Sequence, residues 1–161
     1  YVWGRNFKKA EHVCQLLKEE NFTITPVKNI EDKIGQVDLI SAATLSKTPL
    51  VLGKFLRPGQ HLDLVGAYRT DMREANDEAI MKSEVFVDTF EGGLKEGGDI
   101  VIPLKSGVLE EKNIKADLFA MAGQKHKGRE DDEQITFFKS VVHALEDLTA
   151  ATYYYNLFKN S

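Results

Sequence analysis

The chain has 161 residues, 42% of them hydrophobic and 29% charged, with a net charge of −4. That length suffices for one domain with its own core, and a mildly acidic chain offers no electrostatic footprint for nucleic acid or an anionic membrane. The single cysteine, Cys14, excludes an internal disulfide and suits a reducing cytoplasm, and no apolar run reaches the length of a bilayer span.

Tyr1–Trp3 reads as the end of a strand. Ala10, Val13, Cys14 and Leu17 follow at helical spacing among Lys8, Lys9, Glu11, Lys18 and Glu19, which predicts an amphipathic helix. Phe22–Thr25 is a short β-rich run that Pro26 is expected to end. Asn29 is placed to cap a brief helix through Ile34, with Asp32 in its first turn. Val37–Ala43 is apolar apart from Asp38 and Ser41, as in a strand covered on both faces. His61–Val65 reads as a further strand closed by Gly66, Met72–Lys82 can be helical, and Val85–Val87 is a third apolar run. Gly92, Gly93, Gly97 and Gly98 delimit one helical turn, Leu94–Glu96. Gln124–Gln134 is dense in charge without a large apolar residue and reads as a solvated loop. Phe138, Val141, Val142, Leu145 and Leu148 recur at helical spacing and predict a long last helix. Tyr153, Tyr154 and Tyr155 near its end suit either a contact with another domain or subunit or ordinary half-buried packing.

Strands alternating with helices predict an α/β fold with a parallel sheet and right-handed crossovers. No internal repeat interrupts this order. The absence of an initiating Met and a start in mid-strand suggest part of a longer protein.

Several site chemistries find no support. His12, His61, His126 and His143 are scattered and one cysteine makes no thiolate site, so no metal is expected. His126 is expected in solvent, and His143 at the core edge or surface. There is no G-x-S-x-G elbow and no Walker A sequence. The G-x-G-x-x-G fingerprint of dinucleotide folds is also missing; if Tyr1–Trp3 is the second strand of such a fold, that loop lies before residue 1. The tip of that strand is informative. An acid there selects NAD through the ribose 2′-hydroxyl, whereas an Arg pairs with the 2′-phosphate of NADP. Here the tip is Gly4-Arg5-Asn6, and Arg5 offers a fork of donors suited to phosphate. An ordinary surface arginine reads the same way.

Taken in order, several motifs resemble one family. They are Trp3-Gly4-Arg5 with Lys9-Ala10-Glu11; Asp63-Leu64-Val65-Gly66-Ala67 with Arg69 and Asp71-Met72-Arg73-Glu74; Val87-Asp88-Thr89; Leu94-Lys95-Glu96-Gly97-Gly98-Asp99; and Phe138-Lys139-Ser140 with Ala144-Leu145-Glu146-Asp147. Together they cover nearly the whole chain and resemble the carboxy-terminal half of the ornithine cyclodeaminase/mu-crystallin family. The resemblance implies a Rossmann-type three-layer parallel sheet, with a long final helix returning to a dimerisation and substrate domain. On that basis residues 1–134 form a partial NADP-binding domain, lacking its first strand and Gly-rich loop, and residues 135–161 form the returning helix.

Within the family, cyclodeaminases carry an aspartate where this chain has Tyr68. A phenol, with a reference pKa of about 10 against about 4, is a poor replacement for it. The motifs are most similar to the bacterial Δ1-pyrroline-2-carboxylate (ketimine) reductases. The resemblance then implies NADP(H) as cofactor, a small imino or amino acid as substrate, and a homodimer in the cytoplasm. Arg5 and Asn6 are expected at the 2′-phosphate, Ala43 and Thr44 at the central ribose and pyrophosphate, and Gly66 and Ala67 at the nicotinamide. Tyr68 is expected at the substrate pocket, and Lys139 and Ser140 at the opening of the last helix beside the nicotinamide. Alternatives are an ornithine cyclodeaminase or amino-acid dehydrogenase of the family, a non-catalytic NADPH binder like mu-crystallin, and an unrelated Rossmann domain such as a methyltransferase.

Overall fold

The computed structural model describes residues 1–18 and 20–159, so Glu19 and the last two residues of the expected carboxy-terminal segment lie outside it. The chain divides into two compact units, Tyr1–Val37 and Asp38–Ser161.

In the first unit, strand β1 (Val2–Trp3) leads through Gly4–Asn6 into helix α1 (Phe7–Lys18). The helix buries Ala10 and Cys14, two of the four residues whose spacing predicts it. Asn6 caps it: its carbonyl accepts the Lys9 N–H at 3.0 Å, and its side-chain oxygen accepts the same group at 3.4 Å. The second strand, β2, is Pro26–Val27 and runs parallel to β1. Pro26 therefore starts a strand where it was expected to end one. A first-residue proline forfeits no ladder bond that the strand needs, and the pairing reaches back only to the Thr25 carbonyl, which accepts the Val2 N–H at 2.9 Å. Helix α2 (Glu31–Ile34) forms as expected, but its N-cap is Ile30, and Asn29 instead donates to Asp32.

The second unit holds a five-stranded, all-parallel sheet. Its strands are β3 (Leu39–Ala42), β4 (His61–Leu64), β5 (Ser83–Val87), β6 (Ile114–Asp117) and β7 (Ile135–Lys139), in the spatial order β3-β4-β7-β5-β6. The last strand thus inserts at the centre, between β4 and β5. The register aligns Ala42, Leu64, Lys139, Val87 and Asp117 in one row at the carboxyl ends.

The two faces of this sheet differ. One carries Ile40, Leu62, Leu64, Val85, Val87 and Phe137, all buried. Each such side chain stabilises the fold by about 1.5–3 kcal/mol. The other carries Leu39, Ser41, His61, Asp63, Thr136, Phe138 and Phe86. Here Leu39 is 70% exposed, so β3 is covered on one face only, contrary to expectation. A groove of about 520 Å³ opens on this face, lined by Leu39, Phe86, Phe138 and Met121 among others.

Three element assignments change. The expected Met72–Lys82 helix shrinks to α3 (Asp77–Met81), because Asn76 caps it, accepting the Ala79 N–H at 3.1 Å and the Gly53 N–H at 2.8 Å. The segment before it stays extended and buried, with Val51 bridged to Ala75. The glycine-delimited helical turn is a turn after helix α4 (Phe90–Gly93), and Gly98 opens helix α5 (Gly98–Ser106). The largest change is at the end. Phe138 belongs to β7, and the last helix, α7, spans Ala144–Lys159. The helical spacing from Phe138 to Leu148 was fortuitous. Ile135–Lys139 is a central strand, where near-continuous apolar sequence hides the period of two. The short helix α6 (Leu118–Ala122) follows β6 directly.

Between α6 and β7, residues 124–134 form an irregular loop as expected. Arg129 anchors it to the Gln134 and Gln60 carbonyls and the Thr136 hydroxyl. His126 is half-buried rather than solvated, edge-on to Phe86 at 5.4 Å. His143 is half-buried too, edge-on to Phe119.

Candidate functional site

Five parallel strands present all their carboxyl ends at one edge of the sheet, the edge at which open α/β sheets bind ligands. Three of the expected residue pairs meet there. Ala43 and Thr44 follow β3, Gly66 and Ala67 follow β4, and Lys139 with Ser140 ends and follows β7. Ala43 is exposed and Thr44 half-buried, and Tyr68 is 51% exposed beside the buried Gly66–Ala67 pair. Arg5 and Asn6 stand exposed at the carboxyl end of β1 in the other unit, where no acidic residue occupies the first turn of α1.

The turn after β4 is fixed from every side. The Val65 N–H bonds the Ala42 carbonyl at 2.9 Å, and the Ala67 N–H bonds that of Thr44 at 2.9 Å. The Ala67 carbonyl accepts the Gly98 N–H at 3.1 Å. Ala67 holds φ at 48°, in the left-handed region that disfavours a side chain. Gly66 is a steric necessity: a Cβ there would lie 2.2 Å from the Thr44 carbonyl oxygen and 2.3 Å from Glu74 Oε1. Gly98 is equally constrained, because its Cβ would lie 1.9 Å from the Met72 carbonyl oxygen. That glycine lets the start of α5 abut the Arg69–Met72 turn.

Beneath this turn lies a buried ionic cluster. Lys139, Glu74 and Asp99 are all fully inaccessible to solvent. The Lys139 ammonium donates to the Gly66 carbonyl and, at 3.2 Å, to that of Leu64, and lies 3.6 Å from Asp99. Asp99 Oδ1 accepts the N–H groups of Glu74 at 2.8 Å and Ala75 at 3.0 Å. Glu74 Oε1 accepts the Thr44 N–H. The second carboxylate oxygens of Glu74 and Asp99 have no hydrogen bond. Burial pushes both carboxyls above their ordinary range; backbone hydrogen bonds and the Lys139 charge oppose it. Burial also pulls the Lys139 ammonium below its usual value, against the pull of Asp99 and then Glu74.

A second anchor ties β5 to the chain leaving β7. Asp88, buried at the end of β5, accepts the Val141 N–H at 2.7 Å and the Ser140 hydroxyl at 3.2 Å. The Ser140 oxygen in turn accepts the Val142 N–H at 3.0 Å. Val142 has φ of 66°, a strained conformation for a β-branched residue that costs about 1–3 kcal/mol. Lys139 and Ser140 therefore lead into a strained turn before α7 and do not open the helix. Thr89 beside Asp88 caps α4, accepting the Gly92 N–H.

Glu74, Asp88 and Asp99 are site residues that sequence reasoning did not single out. The signal was available: a lysine ending the apolar run Ile135–Phe138 needs a buried carboxylate, and Asp99 heads the apolar stretch Ile100–Leu104. Among the described residues, no group of three or more His, Cys, Asp or Glu side chains could hold a metal ion, and no helix is long and apolar enough to cross a membrane.

A sequence model of the ornithine cyclodeaminase/mu-crystallin family matches residues 1–161. The chain belongs to this family. A Schizosaccharomyces pombe protein described only as uncharacterized is 39% identical over 99% of this chain and 51% of its own length. The Δ1-pyrroline-2-carboxylate reductase of Paracoccus denitrificans is 33% identical, over 94% of this chain and 48% of that enzyme. The solved Δ1-pyrroline-2-carboxylate reductase of Thermococcus litoralis, in complex with NADH and L-proline, superposes with a TM-score of 0.89. It is 37% identical, over 94% of this chain and 47% of that one. The fold is accordingly the Rossmann-type α/β fold of the family, and the chain spans about half the length of these relatives.

Proposed function

We propose that this chain is the nucleotide-binding part of an NADP(H)-dependent reductase of cyclic ketimine carboxylates of the Δ1-pyrroline-2-carboxylate type. The observation that carries the reductase reading is the likeness to the Thermococcus litoralis reductase, across 94% of the chain, together with a glycine turn fixed at the carboxyl edge of the sheet, while the choice of NADP(H) over NAD rests on Arg5. The residues present suit a dinucleotide. The amino terminus of α1 has no acid in its first turn, and Arg5, Lys8 and Lys9 lie around it, so its dipole and charges favour phosphate. Arg5 and Asn6 would hold the 2′-phosphate, with the Asn6 side chain shared with its capping role. Ala43 and Thr44 would line the ribose and pyrophosphate, and Gly66 and Ala67 would back the nicotinamide.

When bound, the cofactor supplies a hydride to the imine carbon, and the nitrogen gains a proton, giving a cyclic amino acid. The chain's contribution is orientation: a fixed backbone wall at Gly66–Ala67 and an exposed phenol, Tyr68, at the substrate side. Helix α7 is the arm that returns to a substrate and dimerisation domain. The division expected after residue 134 moves past β7, which belongs to the nucleotide sheet. A cytoplasmic homodimer completes the reading.

The test is reduction of Δ1-pyrroline-2-carboxylate by the full protein with NADPH and with NADH, repeated with Arg5→Ala. NADPH should be preferred, and the substitution should remove that preference, about a tenfold change for loss of one charge-assisted phosphate contact. A preference for NADH would move the cofactor reading to NAD. Release of ammonia from ornithine would move the activity to a cyclodeaminase, and nucleotide binding without turnover would make the protein a binder.

A further inference from the structure

We propose that Lys139 is a positioning residue, acting through the backbone of β4 rather than on a ligand. This rests on reading the carboxyl edge of the sheet as the nicotinamide-nucleotide site. Lys139 stands at the end of the central strand, on the buried face beside Leu64 and Val87, where the surrounding buried residues Leu62, Leu64, Val85, Val87 and Phe137 are apolar. Its side chain is fully inaccessible, so it offers no charge to solvent or ligand. Its donors go to the Leu64 and Gly66 carbonyls, the last of β4 and the first glycine of the turn. Gly97 packs over it so closely that a Cβ there would lie 2.8 Å from Lys139 Cε, which holds the stem in place.

A buried ammonium is costly unless its partners are near-complete, and a hydrophobic residue at this position would pack at least as well. What the lysine adds is connection. Through Asp99 it reaches the Glu74–Ala75 backbone, and through Glu74 the Thr44 N–H. One cation and two carboxylates thus set the relative positions of the segments following β3, β4 and β7. Those segments carry Thr44, Gly66–Ala67 and Ser140. Removing the lysine takes the side-chain donor from the Gly66 carbonyl, while the Leu64 carbonyl keeps the Ser140 N–H at 3.2 Å, and it frees the Gly66 turn to rotate away from the nucleotide.

The test separates stability from position. In the full protein, Lys139→Met leaves Asp99 without its cation and should lower Tm. The double variant K139M/D99N carries no unpaired charge from this pair, and its asparagine oxygen still accepts the Glu74 and Ala75 N–H groups. Its Tm should recover, while the Kd for NADPH, read by nucleotide fluorescence, stays raised about tenfold, the loss of one hydrogen bond to a charged group. K139Q/D99N restores one neutral donor and should bring Kd back to within about threefold of the wild type. The primary deuterium isotope effect on hydride transfer should change in K139M/D99N and return toward the wild-type value in K139Q/D99N. Equal affinities in the two double variants would overturn the proposal, as would wild-type affinity in K139M/D99N, failure of K139Q/D99N to bind, or a wild type that binds no nicotinamide nucleotide. A wild type that binds nucleotide but reduces no cyclic imine would sink the proposed function and leave the positioning role to be decided by the affinities.

Discussion

The carboxyl edge of the sheet and the carboxy-terminal helix are opposite solutions to packing. At the edge, polar groups are buried and bound: Lys139, Glu74, Asp88 and Asp99 are all inaccessible, and their hydrogen bonds join six separate segments. Along α7, apolar groups are exposed. None of its residues is buried, and Leu148, Tyr154 and Phe158 are 60%, 60% and 79% exposed. Soluble chains rarely leave such a run uncovered. The contrast is between a sheet edge whose buried polar groups find partners inside this chain and a helix whose large apolar side chains stay exposed. The three tyrosines are exposed rather than half-buried, at 62%, 60% and 64%.

The comparison can be broken most severely at the edge. Gly98→Ala should abolish folding or cost at least about 3 kcal/mol, since backbone and not a flexible side chain meets the added methyl. Gly66→Ala should follow closely. Chemical denaturation measures both, and a loss below about 1 kcal/mol would show that the Ala67–Arg69 turn and α5 are not rigidly abutted.

A smaller effect is expected from protonation. The Glu74 carboxyl is raised above its ordinary 4.5, chiefly by burial. A raised group binds its proton more tightly folded than unfolded, so its stabilising contribution is present below the unfolded pKa and lost as pH rises through the folded one. Glu74→Gln removes that loss. The Tm difference, variant minus wild type, should therefore drift in the variant's favour as pH rises from 4 toward 8. A flat difference would mean that the second carboxylate oxygen is well solvated.

The smallest effect belongs to α7. Leu148→Ser and Phe158→Ser should each change the stability of residues 1–161 by no more than about 0.5 kcal/mol, as for other exposed positions. Thermal melts of the polypeptide check this, and a loss above about 2 kcal/mol would show that the helix packs against this chain. In the full protein the same substitutions should weaken assembly, seen as dissociation in sedimentation.

The strand-end placement of several candidate residues was legible before the fold. Residues ending apolar runs, Ala43–Thr44 and Gly66–Ala67, are where a parallel sheet must turn, so pattern alone located them. Lys139 and Ser140 were found through family resemblance but set on the wrong element, because a buried central strand shows no alternation and its flanking residues mimic a helical stripe. The half-open β3 was missed because cover comes from distant segments, whereas the shortened α3 was marked locally by Asn76, an N-cap whose side chain accepts the Ala79 N–H three residues on.

By itself, the sequence determined the alternation of strand and helix, the family, and the places where strands end, because hydrophobic period and glycine act within a few residues. Only the tertiary structure decided that the last strand enters between β4 and β5, and that a lysine there is neutralised by acids 40 and 65 residues away in the chain. Burial of charge depends on which segments meet, and no local pattern records that.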